Sequence, residues 1–187
     1  MRCADPDFTH TKFERGAFDA RSEFLDLCAA GELREVEAAI KNGADINARN
    51  GDGVTALFFS VEGNFNPEIF LLLLESGANV NIKTEYDWTV LMNAALWNRG
   101  LEVISLLLKK GANVNARNKN GKTALMYAAA HSSNREVIDL LLERGANINA
   151  KDKRGVTVLM YASQNPDPDI FSLFFEKGAD VNAGNDD

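Results

Sequence analysis

Hydrophobic residues in this chain fall in short runs separated by glycine and asparagine. In the segment Lys119 to Asp152 (KNGKTALMYAAAHSSNREVIDLLLERGANINAKD), one run follows Thr123 and a second follows Asn134. Apolar residues of the second run recur three and four positions apart, which predicts one buried helical face. Thr and Asn side chains cap helix N-termini, and Gly145 suits the left-handed conformation that closes a helix. The pattern therefore predicts two short helices followed by a turn.

The same features return at a nearly constant distance, so this segment is one copy of a repeat. The motif Gly-Ala-Asp/Asn-Ile/Val-Asn begins at Gly43, Gly77, Gly111, Gly145 and Gly178. Thr followed by Ala or Val and then Leu begins at Thr55, Thr89, Thr123 and Thr157. A period of about 33 residues indicates a stacked array, in which each unit buries its apolar side against its neighbours.

TALMYAA followed by EVIDLLLERGANINAKD resembles the ankyrin repeat in both motif and period, and matching segments cover roughly residues 22 to 187. The resemblance implies an all-α ankyrin repeat solenoid of about five helix-turn-helix units joined by β-hairpin-like loops. The chain lacks the family's Pro after Thr and the His two residues further on. The Pro position holds Ala56, Val90, Ala124 and Val158. We expect the fold to survive, because contacts between repeats carry most of its stability.

Residues 1–20 carry no repeat signal. We expect them to form an N-terminal arm that packs on the first repeat, with Phe8, Phe13 and Phe18 covering its open end. The alternative is that these phenylalanines bind a partner. The ankyrin repeat domain is expected over residues 21–187, with repeats at about 21–50, 51–84, 85–118, 119–152 and 153–187.

The spacing inside the repeats differs between inner and terminal copies. From Thr to the next motif glycine is 22 residues in the three inner repeats and 21 in the last. Second-helix caps are expected eleven residues before each motif glycine, at Glu32, Asn66, Gly100, Asn134 and Asp167. The extra residue therefore lies in the first helix or the turn after it. It either makes an alternative turn or deepens a groove beside Glu62, Trp97 and His131.

Composition and charge narrow the class of protein. With 45% hydrophobic and 25% charged residues in 187, the chain is typical of a globular protein. A net charge of -7 argues against a nucleic-acid partner. Apolar runs are too short to span a bilayer, and no leader pattern begins the chain, so we expect no membrane association and, by default, a cytoplasmic location. Cys28 is expected to be a structural thiol.

The reactive groups of an enzyme are missing. His10 and His131 have no metal-ligand spacing with Cys, Asp or Glu, and HExxH, GxGxxG, GxxxxGK[ST] and GxSxG do not occur. We therefore expect a non-enzymatic protein with no catalytic residue, no metal site and no cofactor.

In ankyrin arrays, as the resemblance implies, partners usually meet the concave surface made by hairpin tips and first helices. The third copy alone places Tyr86, Trp88, Leu96 and Trp97 at positions expected to face this groove. Buried aromatic anchors contribute on the order of 2 kcal/mol or more each to binding. The alternative is that Trp88 lies flat over the neighbouring hairpin, where Asp87 replaces the tip glycine.

A basic row accompanies these anchors. Arg49, Lys83, Arg117 and Lys151 recur every 34 residues on the segments leading to the hairpin tips. Lys119 and Lys122 extend the row, together with Lys153 and Arg154, and His131 completes the predicted surface. Such residues either are solvated surface, worth less than about 1 kcal/mol per ion pair, or steer an acidic or mixed-charge partner segment.

These features favour a protein–protein interaction module that binds another protein on its concave face. The alternative is a structural or assembly role, through self-association or docking at the apolar C-terminal repeat. Its second helix contains Phe171, Phe174 and Phe175, which are bulky for a terminal unit. Without that association the protein is expected to be a monomer.

Overall fold

The computed structural model describes residues 20–30, 33–62 and 65–183. Their helices, numbered in chain order, are α1 Ala20–Ala30, α2 Leu33–Lys41, α3 Ala56–Phe59, α4 Pro67–Glu75, α5 Val90–Leu96, α6 Gly100–Lys109, α7 Ala124–His131, α8 Arg135–Glu143, α9 Val158–Ala162 and α10 Pro168–Glu176. They form five consecutive pairs, which confirms the predicted all-α ankyrin solenoid. Apart from Ala20, which begins α1, the predicted N-terminal arm lies outside the described residues.

Threonine starts the first helix of each of the last four repeats. The hydroxyls of Thr55, Thr89, Thr123 and Thr157 accept the backbone N–H three residues ahead at 3.2 to 3.4 Å. Because the cap satisfies an otherwise free N–H, these helices begin in place without the family's proline. Asn66, Asn134 and Asp167 cap the second helices as predicted. The prediction of Gly100 as a cap is wrong by one residue, because Gly100 is the first residue of α6 and Arg99 is its N-cap, without a side-chain cap bond. The predicted cap Glu32 lies outside the described residues.

The extra residue of the inner repeats is accommodated differently in each copy. Helices α3, α5 and α7 contain 4, 7 and 8 residues, although their Thr-to-Gly spacings are the same. Identical spacing therefore does not mean identical first helices. The turn after α5 contains Asn98 at φ 51, a left-handed conformation that asparagine adopts more readily than most residues.

One continuous apolar core runs through the stacked repeats from Phe24 to Ala179. Small residues such as Ala94, Ala128 and Ala162 are buried where successive first helices pack together. Larger residues such as Ile104 in α6 and Ile138 in α8 are fully buried, and these second helices pack against each other and against the first helices of their own repeats. Close packing of small faces brings the helices near each other, so each repeat depends on its neighbours for burial.

Cys28 belongs to this core. It is buried, and its burial raises the pKa of the thiol to about 12. The thiol therefore stays protonated at neutral pH, as expected of a structural cysteine.

Asparagines of the repeated motif bond one repeat to the next. Four of their side-chain oxygens each accept a backbone N–H of the following repeat at 2.8 or 2.9 Å. The pairs are Asn47 with Asn79, Asn81 with Asn113, Asn115 with Asn147 and Asn149 with Asp180. This ladder gives a structural reason for the asparagines in the motif, which the sequence pattern alone left unexplained.

The loops between repeats form hairpins whose tips are also bonded in series. Backbone N–H groups of Glu85, Lys119 and Lys153 donate to the carbonyls of Asp52, Tyr86 and Asn120 at 2.8 to 3.0 Å. Isolated antiparallel bridges join Arg49 to Thr55 and Lys151 to Thr157. The hairpin tips are therefore held in a fixed row along one edge of the array.

None of the described helices is long and apolar enough to cross a membrane.

Candidate functional site

Two arginines of the basic row, Arg49 and Arg117, hydrogen-bond to neighbouring hairpins. Nη2 of Arg49 donates to the carbonyl of Lys83 at 2.8 Å, and Nη2 of Arg117 donates to the carbonyl of Lys151 at 2.6 Å. A Cβ at Gly121 would lie 2.8 Å from Nη2 of Arg117, so glycine at this tip leaves room for the guanidinium. Arg49 and Arg117 remain exposed. Each of them nevertheless uses part of its guanidinium for a hydrogen bond within the array.

Trp88 is placed differently from the prediction that it faces a partner. Its side chain is only 4% exposed, and its ring centroid lies 4.7 Å from that of Tyr127 in the next repeat. The buried ring is therefore part of the contact between repeats, because Tyr127 supplies an aromatic surface on which it packs. The burial agrees with the alternative that Trp88 packs within the array rather than on a partner. The ring contacts Tyr127 of α7, however, at an interplanar angle of 35°, and does not lie flat over the neighbouring hairpin as that alternative had it.

Lys122, which was predicted to extend the basic row, is also buried. It is 4% exposed, and its Nζ lies 5.6 Å and 5.4 Å from the ring centroids of Tyr127 and Tyr161. A cation beside two ring faces is stabilised within the protein. Lys122 is therefore a structural residue between repeats rather than an exposed steering charge. We call Trp88, Tyr127, Lys122 and Tyr161 the aromatic column.

Polar bonds from the hairpins fix the two tyrosines of this column. Nδ2 of Asn118 donates to the Tyr127 hydroxyl at 3.0 Å, and the Tyr161 hydroxyl donates to Oδ2 of Asp152 at 2.9 Å. Burial favours a higher pKa for Asp152, but hydrogen bonds, led by that of Tyr161, hold the pKa below its ordinary value. Each pair is separated by nine residues in the sequence, a recurrence that could have revealed these bonds.

Tyr86 has the exposed position that was predicted for an anchor. Its side chain is 57% exposed, and Nζ of Lys119 lies 5.3 Å from its ring centroid. Lys83 and Arg117 are exposed on the same row of hairpins. We call Lys83, Tyr86, Arg117 and Lys119 the hairpin-tip patch. It combines an accessible aromatic ring with positive charge.

Three other predicted residues lie at the opposite end of the first helices. Leu96 ends α5, Trp97 follows it, and His131 ends α7. Leu96 and Trp97 are half-buried and His131 is exposed. We call these three residues the turn patch. Asn98, in the turn after α5, is bonded to the turn after α7, because its Nδ2 donates to Oγ of Ser133 at 3.1 Å.

Glu62 and Asn93 form a polar contact near the turn patch. Asn93 is fully buried, and its Nδ2 donates to Oε1 of Glu62 and to the carbonyl of Phe58, both at 3.3 Å. Burial raises the pKa of Glu62 to about 7, while the hydrogen bond from Asn93 and the charge of Arg99 act in the opposite direction. The pairing of these two residues was not predicted, because it depends on how consecutive repeats stack.

Arg99 lies between this contact and Trp97. Its Nε donates to the carbonyl of Val61 at 2.7 Å, and its guanidinium carbon lies 5.3 Å and 5.6 Å from the rings of Phe65 and Trp97. The guanidinium is thereby held over two aromatic rings. A deepened groove beside Glu62, Trp97 and His131 was one of two alternatives for the extra residue, the other being a different turn. At this place Arg99 lies near Glu62 and Trp97, a basic residue that the sequence pattern did not single out.

The two patches flank α5, with Tyr86 before its N-terminus and Trp97 after its C-terminus. A helix of 7 residues spans about 10 Å, at 1.5 Å per residue. A partner that contacts both patches must therefore extend along α5.

Comparison with known proteins agrees with this architecture. The family model described as ankyrin repeats (3 copies) matches residues 25–118 and 112–185. No curated protein matches the chain. The two matched ranges together include helices α2 to α10 and most of α1. On these matches and on its five stacked helix pairs, the chain belongs to the ankyrin repeat family.

Proposed function

We propose that this protein binds a partner protein, without enzymatic activity, on the concave face that includes the hairpin-tip patch and the turn patch. Ankyrin repeats are generally protein–protein interaction modules. The observation that carries the proposal for this surface is Tyr86, whose ring is 57% exposed. Large aromatic side chains that become buried on binding commonly contribute most of the binding energy.

The charge around Tyr86 favours an acidic or mixed-charge partner segment. Lys83, Arg117 and Lys119 are exposed along the hairpin row, and the exposed Arg49 and the half-buried Lys151 extend it. Exposed charges mainly accelerate encounter and select the partner's charge, and each ion pair contributes less than about 1 kcal/mol. We therefore assign steering to the basic row and anchoring to Tyr86, Leu96 and Trp97.

Trp88 and Lys122 do not belong to this proposed surface. Both are 4% exposed in the aromatic column. Their substitution would alter the array itself, so a loss of binding in such variants would not identify a direct contact.

The Tyr86→Ala/Trp97→Ala double variant is expected to bind an isolated partner at least about thirtyfold more weakly, since 2 kcal/mol corresponds to about that factor. The Lys83→Ala/Lys119→Ala variant should mainly slow association and reduce its salt dependence. Surface plasmon resonance at several salt concentrations measures both effects.

Phe175→Ala is the matched control for this experiment, because it removes an aromatic ring that is 61% exposed at the far end of the array. It should leave the affinity unchanged. Equal losses in the double variant and the control, or no loss in either, would refute the assignment of the anchors.

A second candidate function is assembly through the C-terminal repeat. Phe171 is 39% exposed, whereas Phe70, at the equivalent position seven residues before the motif glycine, is 1% exposed. Phe174, also singled out in the sequence, is fully buried. Assembly predicts a dimer in sedimentation experiments that Phe175→Asp dissociates. A monomer at high concentration would count against it.

A further inference from the structure

Charge is unevenly distributed along the row of hairpins. The row contains equivalent segments at the 34-residue spacing, which we number hairpins 1 to 4 in chain order: residues 49–54, 83–88, 117–122 and 151–156. In hairpins 1 and 2, acidic side chains accompany the exposed cations. The cations are Arg49 and Lys83, and the acidic residues are the half-buried Asp52 and Asp87 and the exposed Glu85. Positive charge in this half of the row is therefore offset.

Hairpins 3 and 4 instead present an excess of positive charge. The cations that reach the surface are the exposed Arg117, Lys119, Lys153 and Arg154 and the half-buried Lys151. Asp152 is the only acidic residue in these two segments, and it is buried. Its carboxylate accepts from the Tyr161 hydroxyl at 2.9 Å and lies 3.6 Å from Nη2 of Arg154, whose side chain is still 72% exposed. The surface of this half of the row is therefore cationic.

The position two residues before the tip glycine, or before its replacement Asp87, marks where the sign of the charge changes. In chain order it holds Gly51, Glu85, Lys119 and Lys153. Tyr86 lies at this boundary, because Nζ of Lys119 in hairpin 3 is 5.3 Å from the centroid of its ring in hairpin 2. The exposed ring of the proposed anchor therefore adjoins the cationic half of the row.

Hydrogen bonds hold hairpins 3 and 4 side by side. The backbone N–H of Lys153 donates to the carbonyl of Asn120 at 2.9 Å, and Nη2 of Arg117 donates to the carbonyl of Lys151 at 2.6 Å. Packed helices lie about 8 to 10 Å apart, which sets the approximate distance between neighbouring hairpins. An extended chain advances about 3.3 Å per residue, so about three of its residues span this distance. A short extended segment can therefore meet the cations of both hairpins.

We propose that hairpins 3 and 4 form a cationic subsite for a run of acidic residues in the partner segment, next to the residue that packs on Tyr86. The attribution of this run to a partner rests on the proposed function. Its carboxylates face the ammonium and guanidinium groups of the subsite, whereas the acidic residues of hairpin 2 disfavour its continuation beyond Tyr86. The subsite therefore gives the partner segment a polarity, with the acidic run on one side of the anchored residue only.

An acidic peptide fits this subsite better than a nucleic acid does. The whole chain carries a net charge of -7, and a phosphate backbone that continued along the row would meet Asp52, Glu85 and Asp87. Affinity for nucleic acids grows with the number of phosphates that the protein neutralises, and a subsite confined to two hairpins limits that number.

Fluorescence anisotropy with a labelled octaglutamate peptide tests the subsite on the complete protein without the partner. At about 0.1 M salt the Debye length is about 10 Å, so exposed charges two hairpins away are largely screened. Saturable binding of octaglutamate is expected. An octathymidylate with the same label and a similar charge should bind more weakly.

Lys153→Glu is expected to weaken octaglutamate binding at least about tenfold, because it reverses a charge inside the subsite. The matched control is Lys83→Glu, which makes the same reversal at an exposed lysine of hairpin 2. It should change the affinity less than about threefold, since that hairpin lies outside the subsite. Both lysines are exposed, so circular dichroism should show unchanged folding in both variants.

Three results would overturn the subsite: no saturable binding of octaglutamate, equal weakening by Lys153→Glu and Lys83→Glu, or tighter binding of octathymidylate, which would indicate a nucleic acid instead. None of them bears on the Tyr86/Trp97 experiment, which tests binding of the isolated partner separately. Conversely, failure of that experiment leaves the octaglutamate titration interpretable.

Discussion

Trp88→Ala is expected to lower the free energy of unfolding by about 3 to 5 kcal/mol, the usual cost of removing a large buried aromatic side chain. The Trp88 ring is 4% exposed and lies against Tyr127 of the next repeat. Its removal would leave a cavity between the third and fourth repeats, and a stacked array has no distant contacts to offset such a loss. Urea unfolding followed by circular dichroism measures the change.

Trp97→Ala is the matched comparison for this variant, since it removes the same side chain from a half-buried position. Its loss of stability should be clearly smaller. If Trp88→Ala cost less than about 1 kcal/mol, or less than Trp97→Ala, the structural role of Trp88 would be wrong and its assignment as a partner contact would return.

Glu62→Gln is expected to stabilise the protein at pH 8 relative to the wild type, by on the order of 2 kcal/mol. The pKa of Glu62 is raised from 4.5 to about 7 in the folded protein, chiefly by burial. A raised folded-state pKa means that the stability contributed by this carboxyl is fully present below pH 4.5 and is lost as pH rises through about 7. Each unit of pKa corresponds to about 1.4 kcal/mol, and partial exposure reduces the full value.

The measurement is the difference in unfolding free energy between variant and wild type from pH 4 to pH 8. Taking the difference removes the titration of the other acidic groups, which both proteins share. The difference should be small at pH 4 and grow toward pH 8 in favour of the variant. A difference that stays constant with pH would show that Glu62 titrates normally.

Local features of the fold could be predicted because their causes lie within one repeat. Thr55 and Asn66 accept from N–H groups two or three residues away, so their capping is encoded by neighbouring residues. The recurrence of these caps with the motif glycines predicted the helix pairs and their stacking. The lengths of α3, α5 and α7 were less predictable, since the same spacing leads to different turns in different copies.

Contacts between repeats were harder to predict for individual side chains. The orientation of Trp88 depends on Tyr127, which lies in the next repeat, and the position of the Arg49 guanidinium depends on the Lys83 carbonyl. The hydrogen bond between Asn93 and Glu62 likewise depends on stacking, because the two residues lie in adjacent repeats. Their positions in the sequence indicate which side of the array they occupy, but not whether they contact a neighbour or solvent.

The most direct test of the account is hydrogen exchange of the protein with and without its isolated partner. If the concave face binds the partner, exchange should slow in residues 83–88, 117–122 and 96–99, while α6 and α8 on the other side of the array remain unchanged. Slowing confined to α6, α8 or α10, with the hairpins unaffected, would contradict it.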